Sequence, residues 1–111
     1  MNKPKQGEII LIDLDPAKGH EQKGYRPALV VSNKDFNNAS NLVWICPITK
    51  TKREKPMDIP LNGTKTSGYV LCEQIRVMDL FNRKYKPTGD VVSDEILLQV
   101  IDIIQGAVDM L

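Results

Sequence analysis

Short apolar runs separated by turn residues fill most of the chain. Runs of strand length occur at residues 9–14, 28–31, 42–48 and 57–61. The longer stretch 69–80 predicts two strands that meet at a bend, and residues 84–88 predict a short edge strand. Asn62-Gly63 and Ser67-Gly68 are turn signals between these runs. The pattern therefore predicts a protein built mainly from short β-strands.

Two prolines and one polar stretch interrupt the strand pattern. Pro27 and Pro47 lack a backbone N–H, so we expect each at a strand start, a sheet edge or a bulge. Residues 33–41, NKDFNNASN, are rich in turn formers and predict at most one helical turn. Trp44 lies in the middle of an apolar run, so we expect it in the core.

The periodicity changes near the C-terminus, where one helix is predicted over residues 93–109. Ser93 is a good N-cap, and the two acids that follow it suit the positive end of the helix dipole. Apolar residues then recur at helical spacing: Ile96, Leu97, Val100, Ile101, Ile103, Ile104, Ala107 and Val108. This stripe is wide for a small protein, which favours a subunit contact in addition to internal packing.

Together these elements predict a mainly β (α+β) fold, a small antiparallel barrel or sandwich covered by one C-terminal helix. The length of 111 residues predicts a single domain, residues 1–111. Composition adds little, because 41% hydrophobic and 26% charged residues describe an ordinary globular protein. The net charge of +1 means that any nucleic-acid binding must come from a local basic patch.

The cysteine and histidine content argues against a metal site. The chain has two cysteines, Cys46 and Cys72, each within an apolar run, and a single histidine. Since no metal-ligand spacing occurs, we expect no metal and no cofactor. Buried free thiols, a polar N-terminal segment and the lack of a long apolar span predict a cytoplasmic protein with no membrane association.

The candidate chemistry begins in the segment 15–32, DPAKGHEQKGYRPALVVS. Its two glycines allow tight bends or close approach to a ligand. His20, Glu21 and Arg26 could transfer protons or hold an anion. Each residue also has an interpretation without a catalytic role. His20 could be an exposed loop histidine, and Glu21 could serve only to pair with Arg26.

Two further polar groups follow along the chain. Thr49 ends the third run and precedes a basic segment that contains Lys50, Lys52, Arg53 and Lys55. Such a segment attracts phosphate backbones, although composition alone favours a solvated connection between strands. Glu73, Gln74 and Arg76 lie in the long stretch, where Glu73 and Arg76 could simply be outward-facing partners.

The order of four segments resembles one family of bacterial proteins. GEIILIDLDP, GHEQKGYRPALVVS, the strand ending in PIT, and GYVLCEQIR closely resemble the MazF/PemK (Kid-like) toxins of type II toxin–antitoxin pairs. The resemblance covers nearly the whole chain, and its GxEQxGxRP segment is long and specific.

The resemblance implies a fold, an activity and partners. Members of this family are small SH3-like antiparallel barrels of the PemK type that form homodimers. They cleave single-stranded RNA, including mRNA, at short sequences without a metal. The ribose 2′-hydroxyl attacks the adjacent phosphate and leaves a 2′,3′-cyclic phosphate and a 5′-hydroxyl. An acidic antitoxin inhibits the toxin, and the complex binds operator DNA through the antitoxin.

The resemblance also assigns roles to residues. Arg26 matches the arginine of GxRP and would stabilise the pentavalent phosphate, while Thr49 matches the threonine that acts beside it. Glu21 matches an acidic position that acts as a base or orients the arginine, and His20 matches a proton-transfer group of the Kid-like branch. The residues expected to contact RNA are Gln22, Lys50, Lys52, Arg53, Glu73, Gln74 and Arg76.

One departure from the Kid-like pattern lies in the strand VLCEQ. That branch has an arginine and an aspartate where this chain has Leu71 and Glu73. The departure favours a mechanism centred on Arg26 and Thr49, and it leaves the general acid and base unassigned.

Two other functions remain open from the residues. Related barrels act as non-catalytic poisons that bind DNA gyrase, on which the GHEQKGYRP loop would serve no purpose. A peptide-binding SH3-like module needs an aromatic groove, but aromatic residues make up only 5% of this chain.

Overall fold

The computed structural model describes residues 3–14 and 24–111. These residues contain seven strands and two helices. The strands are β1 (Glu8–Asp13), β2 (Tyr25–Val30), β3 (Leu42–Thr49), β4 (Asp58–Pro60), β5 (Tyr69–Leu71), β6 (Arg76–Asp79) and β7 (Tyr85–Val91). The helices are α1 (Lys34–Ser40) and α2 (Asp94–Val108), and a 3-10 turn over Cys72–Gln74 separates β5 from β6. The expected bend within residues 69–80 is confirmed.

All strand pairs are antiparallel, and β3 is the branching point of the sheet. The first half of β3 pairs with β6, its middle residues 45–47 pair with β2, and its last two residues pair with β5, which in turn pairs with β4. On the other side β2 pairs with β1, and β1 pairs with β7. Because residues 80–84 connect β6 directly to β7, the five strands β6-β3-β2-β1-β7 curl into a small barrel. The predicted mainly β fold with a C-terminal helix is confirmed.

Two apolar clusters lie on opposite faces of these strands. The inner cluster fills the barrel and is formed by Ile10, Ile12, Leu14, Ala28, Val30, Val43, Ile45 and Met78. The outer cluster lies between the sheet and α2 and includes Ile9, Leu29, Cys46, Ile48, Val70, Ile96 and Val100. Since successive residues of a strand point to opposite faces, one apolar strand such as β1 contributes to both clusters.

A nearly buried aspartate joins the two ends of the sheet. Asp90, in β7, accepts hydrogen bonds from the backbone N–H of Lys65 and of Thr66, at 3.0 and 2.8 Å, and from the Thr66 hydroxyl at 2.8 Å. These partners lie in the connection between β4 and β5, at the far edge of the sheet. A side chain therefore links two edges that no strand ladder joins among the described residues.

The segment 33–41 was predicted to hold one helical turn at most, and this prediction is wrong. Residues Lys34–Ser40 form the two-turn helix α1, which Asn33 caps through its side chain at the backbone N–H of Phe36. Asn37 is buried and donates to the carbonyl oxygens of Pro4 and Ser32. Asn41 ends the helix in the left-handed conformation, with φ 60°. Residues that favour turns serve here as caps and as a buried hydrogen-bonding group.

Two expectations about single residues also need correction. Trp44 is 37% exposed and not in the core, because it lies on the outer face beyond the cover of α2, edge-on to Phe36. Pro27 and Pro47 lie in strands that have neighbours on both sides, not at an edge. The ladder between β2 and β3 ends at Ala28–Pro47, so both prolines lie where this pairing stops.

The C-terminal helix confirms its predicted cap. The Ser93 hydroxyl accepts a hydrogen bond from the backbone N–H of Ile96 at 3.2 Å. Ile96 and Val100 are buried against the sheet, whereas Leu98 and Val108 are exposed. Neither helix in the described part of the chain has the length and apolar character that a bilayer crossing demands.

Candidate active site at one mouth of the barrel

Four strand ends meet at one mouth of the barrel. Because the pairs β1–β2, β2–β3 and β3–β6 are antiparallel, the end of β1, the start of β2, the end of β3 and the start of β6 lie together. These ends carry Arg26, Thr49 and Arg76, which are distant in the sequence. The segment 15–23, which connects β1 to β2 at this mouth, lies outside the described residues.

The register relates Arg26 to Thr49. Ala28 and Pro47 are the last pair of the β2–β3 ladder; Arg26 and Thr49 are not themselves a pair, but the same register continued by two residues would set them across from each other. Alternation along β2 places Arg26 on the face of Ala28 and Val30, which belong to the inner cluster. The same rule places Thr49 on the face of Ile45. Both side chains thus belong to the inner face of the barrel at the mouth where the β2–β3 ladder ends.

Arg26 is exposed, and within the described residues its guanidinium has no hydrogen bond or ion pair. A guanidinium stays charged at all physiological pH values and presents five donors in a planar fork. An arginine at a barrel mouth with no partner among residues 3–14 and 24–111 has donors that a phosphate group could accept.

The Thr49 hydroxyl is held by its own loop. Its Oγ1 accepts a hydrogen bond from the backbone N–H of Thr51 at 3.2 Å, so the hydroxyl proton is free to point toward a ligand. Gly68 packs directly against the backbone of this residue. A Cβ at position 68 would lie 2.3 Å from the Thr49 carbonyl oxygen, and Gly68 has φ +129°. Only glycine fits there, and its close approach fixes the end of β3.

Two arginines donate hydrogen bonds to the backbone at the end of β1, where the connection to β2 begins. Arg76 donates from Nη1 to the carbonyl oxygen of Leu14 at 2.9 Å, and Arg83 donates to that of Asp13 at 2.8 Å. Arg76 was predicted to contact RNA. The Nη1 group of Arg76 is already bonded to the Leu14 backbone, and its remaining N–H groups are the ones that could contact RNA.

The basic segment after Thr49 divides into two kinds of residue. Lys50 and Lys52 are exposed and have no ion pair within the described residues. Arg53, in contrast, donates to both carboxylate oxygens of Asp58, at 2.8 and 2.7 Å, and to Glu73 at 3.3 Å. Two predicted RNA contacts, Arg53 and Glu73, are therefore paired with protein groups.

The departure from the Kid-like pattern is also visible in the fold. Leu71 ends β5 as a buried residue, and Glu73 lies in the 3-10 turn that follows, exposed toward the basic segment. Gln74 is exposed on the same turn. The carboxylate of Glu73 thus faces Arg53 and Lys55.

An exposed aromatic residue at this mouth escaped the sequence analysis. Tyr25 precedes Arg26 and is exposed, and the Lys86 ammonium lies 4.6 Å from the centre of its ring. Exposed aromatic faces stack on unpaired bases, and the lysine adds positive charge nearby. The signal that could have found it is its place inside GYRP, next to the candidate site residue Arg26.

Other chemistries lack suitable groups in the described part of the chain. Burial raises the pKa of the Cys46 thiol to about 12 and that of Cys72 to about 11, so both thiols stay protonated at neutral pH. Residues 3–14 and 24–111 contain no group of three side chains suited to hold a metal ion. The predicted site residues His20, Glu21 and Gln22 lie outside the described residues.

Comparisons with known proteins agree with this arrangement. A family model described as "PemK-like, MazF-like toxin of type II toxin-antitoxin system" matches residues 5–107. The endoribonuclease toxin ChpB of Escherichia coli (strain K12) is 36% identical over 111 aligned positions, which cover 95% of this chain and 94% of that protein.

Solved structures share the fold over nearly the full length. The crystal structure of MazF from Deinococcus radiodurans has a TM-score of 0.82 at 29% identity and covers 96% of this chain and 97% of that one. MazF in the MazE-MazF structure (Form-I) of the same organism has a TM-score of 0.77 at 25% identity, with 96% and 97% covered. The resemblance found in the loop and strand motifs is confirmed, and the chain belongs to the PemK-like, MazF-like toxins of type II toxin–antitoxin systems.

Proposed function

We propose that this chain is a sequence-specific endoribonuclease toxin that cleaves single-stranded RNA, including mRNA, without a metal ion. The observation that supports the proposal is the register of β2 and β3, which, continued past its last pair Ala28–Pro47, would set Arg26 and Thr49 on the same face at one mouth of the barrel. Its relatives named endoribonuclease toxins support the same activity.

The proposed reaction is an internal transfer at phosphorus. The ribose 2′-hydroxyl loses its proton and attacks the adjacent phosphorus, and the bond to the 5′-oxygen of the next nucleotide breaks. That oxygen takes up a proton, which leaves a 2′,3′-cyclic phosphate and a 5′-hydroxyl. The reaction therefore needs a group that accepts a proton, a group that gives one, and positive charge on the pentavalent phosphate.

Arg26 supplies the positive charge, because its planar guanidinium can donate to two oxygens of the crowded phosphate at once. Thr49 donates its hydroxyl proton to a phosphate oxygen or positions the 2′-hydroxyl, since its oxygen already accepts from Thr51. By the family resemblance His20 is a candidate for proton transfer and Glu21 a candidate either for proton transfer or for orienting Arg26, with acid and base not divided between them.

The RNA path follows the exposed cations and the aromatic ring around the mouth. Lys50 and Lys52 extend from Thr49 and attract the phosphate backbone. Tyr25 offers a stacking surface for an unpaired base, and Gln22 and Gln74 offer amide groups that can read base edges. Arg76 contributes a further cation at the start of β6.

The protein partners in the proposal are a second copy of the chain and an acidic antitoxin. An apolar groove of about 240 Å³ lies between α1, β3 and α2 and is lined by Phe36, Trp44, Ile101 and Ile104. This surface favours a homodimer, because exposed aromatic and aliphatic groups gain from burial at a contact. The antitoxin proposal is supported by the MazE-MazF structure. We further propose that the complex binds operator DNA through the antitoxin. The proposed location of the protein is the cytoplasm.

The oligomeric state tests the dimer separately from the activity. Light scattering at micromolar concentration is expected to give the mass of two chains, and Ile101→Asp is expected to give one. A wild-type protein that stays monomeric under these conditions contradicts the dimer and leaves the activity to its own test.

Cleavage of a long natural RNA tests the activity. The purified protein with excess EDTA is expected to cut at a recurring short sequence and to leave 5′-hydroxyl ends. Arg26→Ala is expected to lower kcat by about 10²- to 10³-fold, the typical effect of losing one charge-stabilising donor. Because Arg26 is exposed, the unfolding midpoint should stay unchanged, and Lys34→Ala on α1 serves as the matched control. Full activity of a folded Arg26→Ala protein contradicts the proposal, as does gyrase inhibition without RNA cleavage.

A further inference from the structure

Four charged side chains form a closed cluster between the β3–β4 loop, residues 50–57, and the 3-10 turn. Arg53 donates from Nε to Asp58 Oδ2 at 2.8 Å and from Nη2 to Asp58 Oδ1 at 2.7 Å. The same Nη2 lies 3.3 Å from Glu73 Oε2, and the Lys55 ammonium lies 3.9 Å from that oxygen. Two cations therefore face two carboxylates, and the cluster has no net charge.

The centre of this cluster is shielded from water. The Asp58 side chain is 3% exposed and that of Arg53 is 24% exposed. A carboxylate this deep needs a partner that satisfies both of its oxygens, and the planar fork of arginine does so with two parallel hydrogen bonds. The hydrogen bonds from Arg53 hold the pKa of Asp58 below the ordinary carboxyl value.

The backbone of the β3–β4 loop is defined on both sides of Arg53. On one side Thr51 N–H bonds to the Thr49 hydroxyl. On the other, Asp58 N–H bonds to the Lys55 carbonyl oxygen at 3.1 Å. Between them Glu54 adopts a left-handed conformation with φ 58°, which is costly for a residue with a side chain and persists only when its surroundings enforce it.

We infer that Arg53 is a positioning residue of the ribonuclease: its pairs with Asp58 and Glu73 hold the β3–β4 loop so that Lys50 and Lys52 meet the RNA beside Thr49. Glu73 serves in this clamp and takes no part in proton transfer. The inference rests on the proposed function, since it assigns parts of the same site.

The charges separate this role from direct RNA contact. Arg53 and Lys55 are compensated by two carboxylates, so the clamp adds no net attraction for a phosphate. Lys50 and Lys52 have no such partner within the described residues and keep their full charge. The clamp therefore acts on RNA through the position of these lysines.

Steady-state kinetics on a mapped single-stranded RNA test the clamp. Arg53→Gln and Asp58→Asn are each expected to raise KM about five- to tenfold and to leave kcat within about twofold, because the chemistry at Arg26 and Thr49 is untouched. The double variant is expected to match the single variants, since both remove the same pair. Lys34→Gln, far from this mouth, is the control. An Arg53→Gln defect that Asp58→Asn does not share overturns the inference.

Two conservative variants sharpen the test. Arg53→Lys keeps the charge but loses the fork, so it is expected to be as defective as Arg53→Gln. If Arg53 instead bound a phosphate of the RNA directly, the lysine in Arg53→Lys would restore much of the activity. Glu73→Gln is expected to keep kcat within about threefold and to leave the pH–rate profile unchanged. Loss of one limb of that profile would make Glu73 an acid or a base and overturn its place in the clamp.

Limited proteolysis reports on the clamp without any RNA. Trypsin is expected to cut after Lys50 and Lys52 at least about fivefold faster in Arg53→Gln and Asp58→Asn than in the wild type, measured by mass spectrometry below the unfolding transition. Cutting after Lys65 is expected to stay unchanged in both. If the wild type cleaves no RNA, the proposed function fails while this digestion still decides the clamp; equal digestion of variants and wild type overturns the clamp alone.

Discussion

The β3–β4 loop and the neighbouring β4–β5 loop, residues 61–68, are both held by a nearly buried aspartate, but the two carboxylates have different partners. Asp58, the first residue of β4, binds the charged side chain of Arg53, five positions earlier in the β3–β4 loop. Asp90 comes from β7 and binds the backbone N–H groups of Lys65 and Thr66. One contact is local and uses a flexible cation, and the other is distant in sequence and uses fixed amides.

The difference separates the loop to which we assign an RNA-binding role from one that serves the fold. The amides of Lys65 and Thr66 cannot move without the backbone of the β4–β5 loop, so Asp90 closes the sheet as part of the fold. An arginine side chain can release its partner while the strands stay in place. In the proposed function, the position of the loop beside Thr49 therefore depends on the pairs that the Arg53 side chain makes.

Gly68→Ala is expected to have the largest effect on stability. The new Cβ would meet the Thr49 carbonyl oxygen at 2.3 Å in a backbone with φ +129°. We expect a loss of about 3 kcal/mol or more in the free energy of unfolding. RNA cleavage should fall as well, because Thr49 must move. Urea denaturation measures the first effect.

Gly63→Ala, in the same loop, is the matched control for Gly68→Ala. Gly63 also has a positive φ, +81°, but nothing lies within 4 Å of its added Cβ. Only the backbone strain of about 1 kcal/mol should remain. Equal effects of the two substitutions would show that the close approach at Thr49 does not matter.

Asp90→Asn is expected to have the next largest effect and to act on stability alone. An amide offers one acceptor oxygen in place of two, so a backbone N–H of the β4–β5 loop loses its partner. The thermal unfolding midpoint should fall by several degrees, with KM and kcat unchanged below the transition. Compared with Asp90→Asn, Asp58→Asn is expected to lower the unfolding midpoint less and to raise KM more. A KM defect in Asp90→Asn would remove the distinction between the loops.

Acid should weaken both contacts. Hydrogen bonds from Arg53 lower the pKa of Asp58, and hydrogen bonds from the Lys65 and Thr66 region lower that of Asp90, both from the ordinary 3.8. Because the folded pKa lies below the unfolded value, each carboxylate stabilises the fold above the ordinary pKa, and the effect is lost as the pH falls through the folded pKa. As the pH is lowered below about 4, the unfolding midpoint of each Asn variant should therefore fall less steeply than that of the wild type. An unchanged acid profile in the double variant would contradict both assignments.

Salt should give the smallest effect and should act on one loop only. Raising NaCl from about 0.05 to about 0.5 M screens the partly exposed Arg53 pairs but not the neutral amides around Asp90. Tryptic cutting after Lys50 and Lys52, relative to cutting after Lys65, should rise by less than about twofold. A fall in this ratio would contradict the role of ion pairs in the β3–β4 loop.

Much of the fold followed from the sequence because its signals are local. The strand runs, the bend after residue 71 and the Ser93-capped helix all depend on neighbours within a few residues. The family likewise followed from contiguous motifs such as GxEQxGxRP. The segment 33–41 misled the prediction, because asparagine favours turns in isolation and Asn37 becomes a buried hydrogen-bonding group only when Pro4 and Ser32 surround it.

The sequence by itself determined the strand order along the chain, the helix and the residue types of the candidate site. Only the tertiary structure decided what each charged or aromatic side chain meets: Arg53 a buried carboxylate, Arg76 the Leu14 carbonyl, Trp44 the solvent-facing side of the sheet. The reason is physical. Periodicity reports which face of an element is apolar, whereas the partner of a long polar side chain depends on which distant backbone the antiparallel register brings beside it.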